Sequence, residues 1–239
     1  MSIWESLLEV QNHDTTIDQL VHRNRTLPER AALETVMHDI GRVDSTVVEV
    51  DARRTDLARA QKKLEDEIAS LNDKAEQVDK KLYSGTVNIP KELQALQDDV
   101  EHIRARVRHL EDQELELMEQ AEPVDAEREQ LVKQRDAHDA EAMRLSALIA
   151  EAESAIDAEL QGVRAERDAA AGAVPPELVA QYEGLRKRHD GIAVARLING
   201  RSCGGCHLQL SAVEVDRIKG LDPDEPVNCE ECGRLLVRG

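Results

Sequence analysis

The chain has 239 residues, 33% of them charged, and a formal net charge of −18. It contains no Phe, and Trp4, Tyr83 and Tyr182 are its only aromatics. That excludes a compact core built on aromatic area and any general attraction to nucleic acid or an anionic membrane surface. The remaining mixture of Leu, Val, Ile and Ala among Glu and Arg is that of long helices burying a narrow stripe.

The chain starts Met-Ser-Ile-Trp-Glu-Ser-Leu-Leu, with no basic region ahead of an apolar run. No stretch approaches the roughly 20 apolar residues of a membrane span. The expectation is a cytoplasmic protein that does not associate with membranes. Ile3, Leu7, Val10, Ile17 and Val21 predict a first short helix. Its frame does not continue, so a break is expected between Arg25 and Pro28. Thr26-Leu-Pro-Glu29 has the pattern of a capping box, with Pro near the first helical position of the next element.

From Leu33 the apolar residues alternate at spacings of three and four: Leu33, Val36, Ile40, Val43, Val47, Val50, Leu57, Leu64, Ile68, Leu71, Ala75, Val78 and Leu82. Only Arg54 and Gln61 interrupt the frame, and a repeat this long is a coiled-coil seam. Tyr83-Ser-Gly-Thr-Val-Asn-Ile-Pro90 then breaks the helix with turn formers, and Pro90 can open the next one. A second repeat runs Leu93, Leu96, Val100, Ile103, Val107, Leu110, Leu117, Val124, Leu131, Leu145, Ile149, Ile156 and Val163. Glu114, Arg128, Arg135, His138 and Glu159 intrude at core positions of that repeat, and Pro123 predicts a local kink.

A short turn between two long helices predicts an antiparallel hairpin. A fold about residue 86 sets Arg53, Arg54 and Arg59 against the first half of residues 111–127, which hold eight acids and no base. It also sets Arg104, Arg106 and Arg108 against Glu65, Asp66 and Glu67. The second long helix is expected to end between Gly172 and Pro176, followed by a helix from Glu177 to about His189 and a strand over 192–198. The expected organisation is a coiled-coil hairpin over 1–174 with its tip at 83–90, a connecting helix over 175–191 and a small β-containing domain over 192–239. The narrow stripe is compatible with a monomer or a coiled-coil dimer.

All four cysteines lie in two C-x-x-C pairs, Cys203-Gly-Gly-Cys206 and Cys229-Glu-Glu-Cys232, with 22 residues between them. Two such hooks supply four thiolates that close tetrahedrally on one structural Zn²⁺; iron has the same ligand set and stays open on spacing alone. Gly204, Gly205 and Gly233 are expected to permit tight turns with positive φ. Cys203-Gly-Gly-Cys206-His207 also matches the C-x-x-C-H of haem attachment, but that reading leaves the second pair unexplained. His207 is expected on the surface or in a strand. A closed four-thiolate site leaves no position for substrate, and no phosphate loop, H-E-x-x-H or G-x-S-x-G is present, so an enzyme is not expected.

Two surfaces are candidates for contact. The tip carries Tyr83, Val87 and Ile89, an apolar group suited to a protein partner. Residues 186–201 hold Arg186, Lys187, Arg188, Arg196 and Arg201 against a single acid, Asp190, a patch suited to RNA or DNA phosphates. Residues 192–239 as a whole contain six Lys or Arg, seven Asp or Glu and no aromatic on which a base could stack.

The tip, Leu82-Tyr-Ser-Gly-Thr-Val-Asn-Ile-Pro-Lys-Glu-Leu93, and the tail, Cys203-Gly-Gly-Cys206-His-Leu208 with Cys229-Glu-Glu-Cys232-Gly-Arg-Leu-Leu236, resemble the bacterial coiled-coil hairpin proteins with a C4-type zinc ribbon. Tyr182 and the stretch from Ile192 to Gly200 are similar to that family's lead-in to the ribbon. The resemblance implies a mainly α fold, zinc on Cys203, Cys206, Cys229 and Cys232, and no catalysis. It further implies an adaptor or scaffold role in transcription, secretion or motility, or alternatively regulatory binding of RNA or DNA.

Overall fold

The computed structural model describes residues 2–223 and 225–238; Met1 and Gly239, the outer bounds expected for hairpin and ribbon, and Asp224 lie outside the described residues. The elements are α1 (Ile3–Arg25), α2 (Pro28–Tyr83), α3 (Pro90–Gly172), α4 (Pro176–Arg188), β1 (Val194–Ile198), β2 (Ser202–Cys203), α5 (Ala212–Lys219) and β3 (Leu235–Val237). The chain divides into two compact units, Met1–Ala31 with Ser146–Gly239 and Ala32–Leu145.

The unit Ala32–Leu145 is the helical hairpin. Every apolar position predicted for the α2 seam, from Leu33 to Leu82, is buried or half-buried, as are Leu93 to Leu145 on α3. Polar residues in the seam find partners across it. Arg128 Nε donates to Asp51 at 2.6 Å, Arg135 Nε to Asp44 at 2.6 Å, and Gln61 Nε2 to Glu114 at 3.5 Å. α3 continues through Pro123 without a break in the helix.

The charge register follows the sequence expectation in one place and departs from it in another. Arg106 reaches Glu67 at 3.0 Å, as a fold about residue 86 requires. Arg53 instead pairs with Glu127 at 2.7 Å and Arg54 with Asp125, at the far end of the acidic run rather than its first half. Arg59 turns back to Asp56 on its own helix. Arg104 likewise passes its expected partners and reaches Asp79 at 2.5 Å. All these pairs sit on two uninterrupted helices, so the differences lie in how far each long side chain leans along the hairpin and not in the register of the seam.

In the other unit, Ser2 caps α1 by accepting from the Glu5 N–H at 3.3 Å. The break falls where expected, but Thr26 closes α1 rather than opening α2. Its hydroxyl donates to the His22 carbonyl at 2.9 Å, so the anticipated capping box gives way to a local back-bond. One face of α1 is deeply buried. Trp4, Leu7 and Val10 pack with Val174, Tyr182, Leu185, Val194, Leu235 and Val237.

The sheet has the order β2-β1-β3. β1 and β2 form an antiparallel hairpin whose connection runs through Asn199 (φ 51°), Gly200 (φ 63°) and Arg201; the first two are left-handed, and the Arg201 N–H closes the turn on the Ile198 carbonyl at 3.1 Å. β3 joins β1 in parallel, pairing Val194 with Leu235 and Arg196 with Val237. The strand begins at Val194, two residues later than expected, and the N–H groups of Ala193 and Val194 are bonded to the Gln11 side chain of α1. α5 was not anticipated, although Ser211-Ala-Val-Glu214 carries its start signal. The Ser211 hydroxyl accepts from the Glu214 N–H at 3.2 Å, and Val215 and Ile218 turn inward.

Candidate metal centre

The four cysteines converge. Their sulfurs all lie within 4.8 Å of one another, with Cys203 and Cys229 buried and Cys206 and Cys232 half-buried. Cys203 Sγ stands 3.9 Å from Cys232 Sγ, and Cys206 Sγ 3.8 Å from Cys229 Sγ. Zn–S bonds of about 2.3 Å in a tetrahedron set sulfurs about 3.8 Å apart, so the thiol cage has the dimensions of a zinc site.

Two matching knuckles build the cage. The first follows β2 and the second precedes β3. In each, the residue after the second cysteine donates its N–H back to the carbonyl of the first: His207 to Cys203 and Gly233 to Cys229, both at 2.8 Å. These two residues carry the positive φ, 61° at His207 and 76° at Gly233. Gly204 and Gly205, expected to do so, do not. They are small because space demands it: a Cβ on Gly204 would stand 2.8 Å from the Arg196 carbonyl oxygen, and one on Gly205 2.6 Å from Arg234 Cδ. His207 is exposed at the left-handed corner of its knuckle, a backbone position for which His is among the better tolerated side chains.

The thiols are electrostatically unequal. Burial pushes Cys229 up to about 12, against the pull of the Cys232 and Glu231 backbone N–H groups. Burial also raises Cys203. At Cys232 burial acts in the same sense, but the backbone N–H and the side chain of Arg234, with the neighbouring cysteine thiols, bring it down to about 7. The guanidinium of Arg234 also donates to the Ile192 carbonyl at 2.8 Å, tying the second knuckle to the start of β1.

Sequence reasoning missed the polar residues of α1 that support this unit. Gln11 Oε1 accepts the N–H groups of Ala193 and Val194, each at 2.7 Å, while its Nε2 donates to the Val194 carbonyl at 2.9 Å. Asp14, 6% exposed, accepts the Tyr182 hydroxyl at 2.7 Å and Arg167 Nε at 3.2 Å. Burial, then the Asp14 carboxylate, push the Tyr182 hydroxyl well above its usual range. The signal was present: Asp14 fills an apolar slot in the series Leu7, Val10, Ile17. Trp4 Nε1 donates to the Pro223 carbonyl at 3.0 Å, and Arg238 donates to the carbonyls of Ile218, Leu221 and Glu225 among others. The loop after α5 is thus held by side chains from both ends of the chain.

The candidate contact residues are placed as follows. Tyr83 and Ile89 are exposed at the tip, and Val87 is half-buried there. In the basic set, Arg186 is engaged by Asp14 and Asp18, and Arg196 forms a two-pronged pair with Glu5 at 3.0 and 2.9 Å. Lys187, Arg188 and Arg201 are exposed.

Residues 10–190 match the CT398-like coiled coil hairpin domain, and residues 202–236 match the C4-type zinc ribbon domain. The uncharacterized protein Rv2229c of Mycobacterium tuberculosis is 30% identical over 98% of this chain and 94% of its own. A solved structure from Mycobacterium smegmatis is 27% identical, covers both chains fully and superposes with a TM-score of 0.85. CT398 from Chlamydia trachomatis, at 21% identity over 99% of this chain and 98% of that one, shares the fold with a TM-score of 0.66. The ribbon match and the sulfur spacing together assign one structural zinc to Cys203, Cys206, Cys229 and Cys232. With hairpin and ribbon both matched in order along the chain, the protein belongs to the family of CT398-like coiled-coil hairpin proteins that carry a C4-type zinc ribbon.

Proposed function

We propose that this protein is a non-enzymatic, zinc-stabilised adaptor of the cytoplasm that holds protein partners through its hairpin tip and its ribbon. The observation that carries the reading is the tip itself: Tyr83 is 81% exposed and Ile89 55% exposed, at the one turn joining the two long helices. A tyrosine in that position buries little within the hairpin, and Tyr is enriched where proteins meet. The four-thiolate site supports the non-enzymatic part, because its coordination is complete without substrate. No described helix is long and apolar enough to cross a membrane.

The test is capture of partners from native lysate on the tagged full chain, with and without nuclease. Tyr83→Ala combined with Ile89→Ser is expected to abolish nuclease-resistant protein capture while far-UV circular dichroism stays unchanged. Undiminished capture by that variant would reject the tip.

Contact with RNA or DNA through Arg186, Lys187, Arg188, Arg196 and Arg201 is the second reading. It is supported by the exposure of Lys187, Arg188 and Arg201 and weakened by the ion pairs that engage Arg186 and Arg196. Reversing Lys187 and Arg188 is the clean variant here, because Arg186 also contacts Asp14. Steeply salt-dependent RNA binding that this reversal removes would favour the second reading over the first.

A further inference from the structure

The ribbon concentrates negative charge at its metal centre. Four thiolates around one Zn²⁺ leave a formal excess of two negative charges. The second knuckle, Cys229-Glu-Glu-Cys232, adds the exposed carboxylates of Glu230 and Glu231 between two of the ligands. A cation held beside the cage would stabilise it, but most cations of the ribbon are committed elsewhere. Arg196 pairs with Glu5, Arg217 with Glu214 and Lys219 with Asp216, and Arg238 is spent on loop carbonyls. Arg234 differs from these: it is half-buried and in no ion pair among the described residues.

Arg234 touches both knuckles. Its carbonyl accepts the Cys229 N–H at 2.8 Å. Its own N–H and its guanidinium both act on the Cys232 sulfur and favour the thiolate. The stem of the side chain crosses to the first knuckle, where Gly205 leaves it room: a Cβ on Gly205 would stand 2.6 Å from Arg234 Cδ and 3.2 Å from its Nε. Nε is anchored on the Ile192 carbonyl at 2.8 Å, at the lead-in to β1. Glycine at 205 is thus the steric complement of arginine at 234.

We infer that Arg234 is the counter-ion of the zinc centre and the clasp that locks its two knuckles together. Cys203 and Cys229 are buried, whereas Cys206 and Cys232 are half-buried, so water and competing ligands approach the metal from their side. A guanidinium fixed beside Cys232 offsets the thiolate charge there, and arginine does not lose its own charge at any working pH. Arg234 is therefore a positioning residue for the metal, acting through the ligands and not as one of them.

The experiment separates charge from shape in the full chain. Ligation at Cys206 of a synthetic segment covering 206–239 permits Arg234→citrulline, which keeps the stem, the plane and the Nε donor and removes only the charge. Zinc affinity is read by competition with a chelating dye, beside Arg234→Lys. Arg234→citrulline is expected to weaken zinc binding about 10–100-fold, the range for residues that support metal ligands. Arg234→Lys, which restores the charge, should recover most of that loss. Equal affinity for arginine and citrulline would overturn the counter-ion, as would a loss in Arg234→Lys as large as in Arg234→citrulline. Cobalt substitution should show four tetrahedral thiolates in both variants. A missing thiolate would also overturn the counter-ion, because Arg234 would then shape the cage and not balance it. For the clasp, Gly205→Ala should weaken zinc binding while Arg234 is present, and much less once Arg234→Ala has emptied the space. The same cost in both backgrounds would overturn the clasp, since Gly205 would then be small for another reason.

Discussion

The hairpin of residues 32–145 and the unit made by residues 1–31 with 146–239 solve the stability problem differently. The hairpin repeats one weak solution many times: a half-buried apolar stripe, closed at intervals by ion pairs such as Arg135–Asp44 and Arg128–Asp51 that water largely screens. The ribbon-bearing unit concentrates its stability in a few sites, namely four thiolates, the Gln11 contacts with β1 and the Asp14–Tyr182–Arg167 group. Substitutions should therefore be tolerated in the hairpin and felt sharply in the ribbon unit.

Removing the metal tests that contrast most severely. Structural zinc sites of this type contribute about 10–16 kcal/mol of apparent folding energy. Chelation, or Cys229→Ser, is expected to unfold the ribbon while most helical signal survives. Trp4 is the reporter, because it is buried and bonded to the Pro223 carbonyl. Its fluorescence should shift to the red, and an unshifted spectrum after verified metal loss would refute the dependence. The pH direction follows from the ligands. Cys203 and Cys229 are raised by burial, so without metal both hold their protons near neutrality. Zinc must displace those protons, and its affinity falls as pH falls. Cys232, at about 7, ionises before Cys203 and Cys229. Fewer protons should be released per zinc at about pH 8 than at about pH 6, as calorimetry in buffers of different ionisation enthalpy would show.

A smaller loss is expected from Gln11→Ala, which leaves the Ala193 and Val194 N–H groups without their acceptor. Each buried orphan costs about 1–3 kcal/mol, so a total of roughly 2–6 kcal/mol is expected by urea titration of the zinc-loaded protein. An unchanged midpoint would mean that water replaces the side chain. Gly204→Ala sets a methyl against the Arg196 carbonyl and should cost about 1–3 kcal/mol, with weaker zinc retention as the more sensitive readout. The hairpin marks the other end of the scale. Arg135→Leu breaks two partly exposed ion pairs, with Asp44 and Asp139, each worth about 0–1 kcal/mol, and adds an apolar side chain to the seam, so the melting temperature is expected to change little. A marked fall would show that the polar layers stabilise the hairpin and that the two units are less different than they look.

Much was readable from the residues alone, for reasons that are local. Heptad spacing marked both long helices, because a helix returns the same face every seven residues whatever lies opposite. Tyr83 to Pro90 marked the turn because glycine and proline act on their own backbone. The C-x-x-C spacing marked the ligands because tetrahedral thiolate coordination is strict. The thiol cage needed no correction, whereas its glycines did: the left-handed corners fall on His207 and Gly233, and Gly204 is required by an Arg196 carbonyl that is remote in the local sequence pattern. The exchange of the Arg53 and Arg54 partners for Glu127 and Asp125 was equally out of reach, since a long arginine side chain can lean along the facing helix to more than one carboxylate.

The sequence by itself determined the helices, the turn and the metal ligands, each of which depends on residues within a few positions of one another. Only the tertiary structure decided that Gln11 would serve Val194, that Asp14 would hold Tyr182, and that Arg186 and Arg196 of the basic patch would be engaged by carboxylates of α1. Those pairings join residues more than 160 positions apart. Their partners are set by how elements pack, and no periodicity along the chain encodes that.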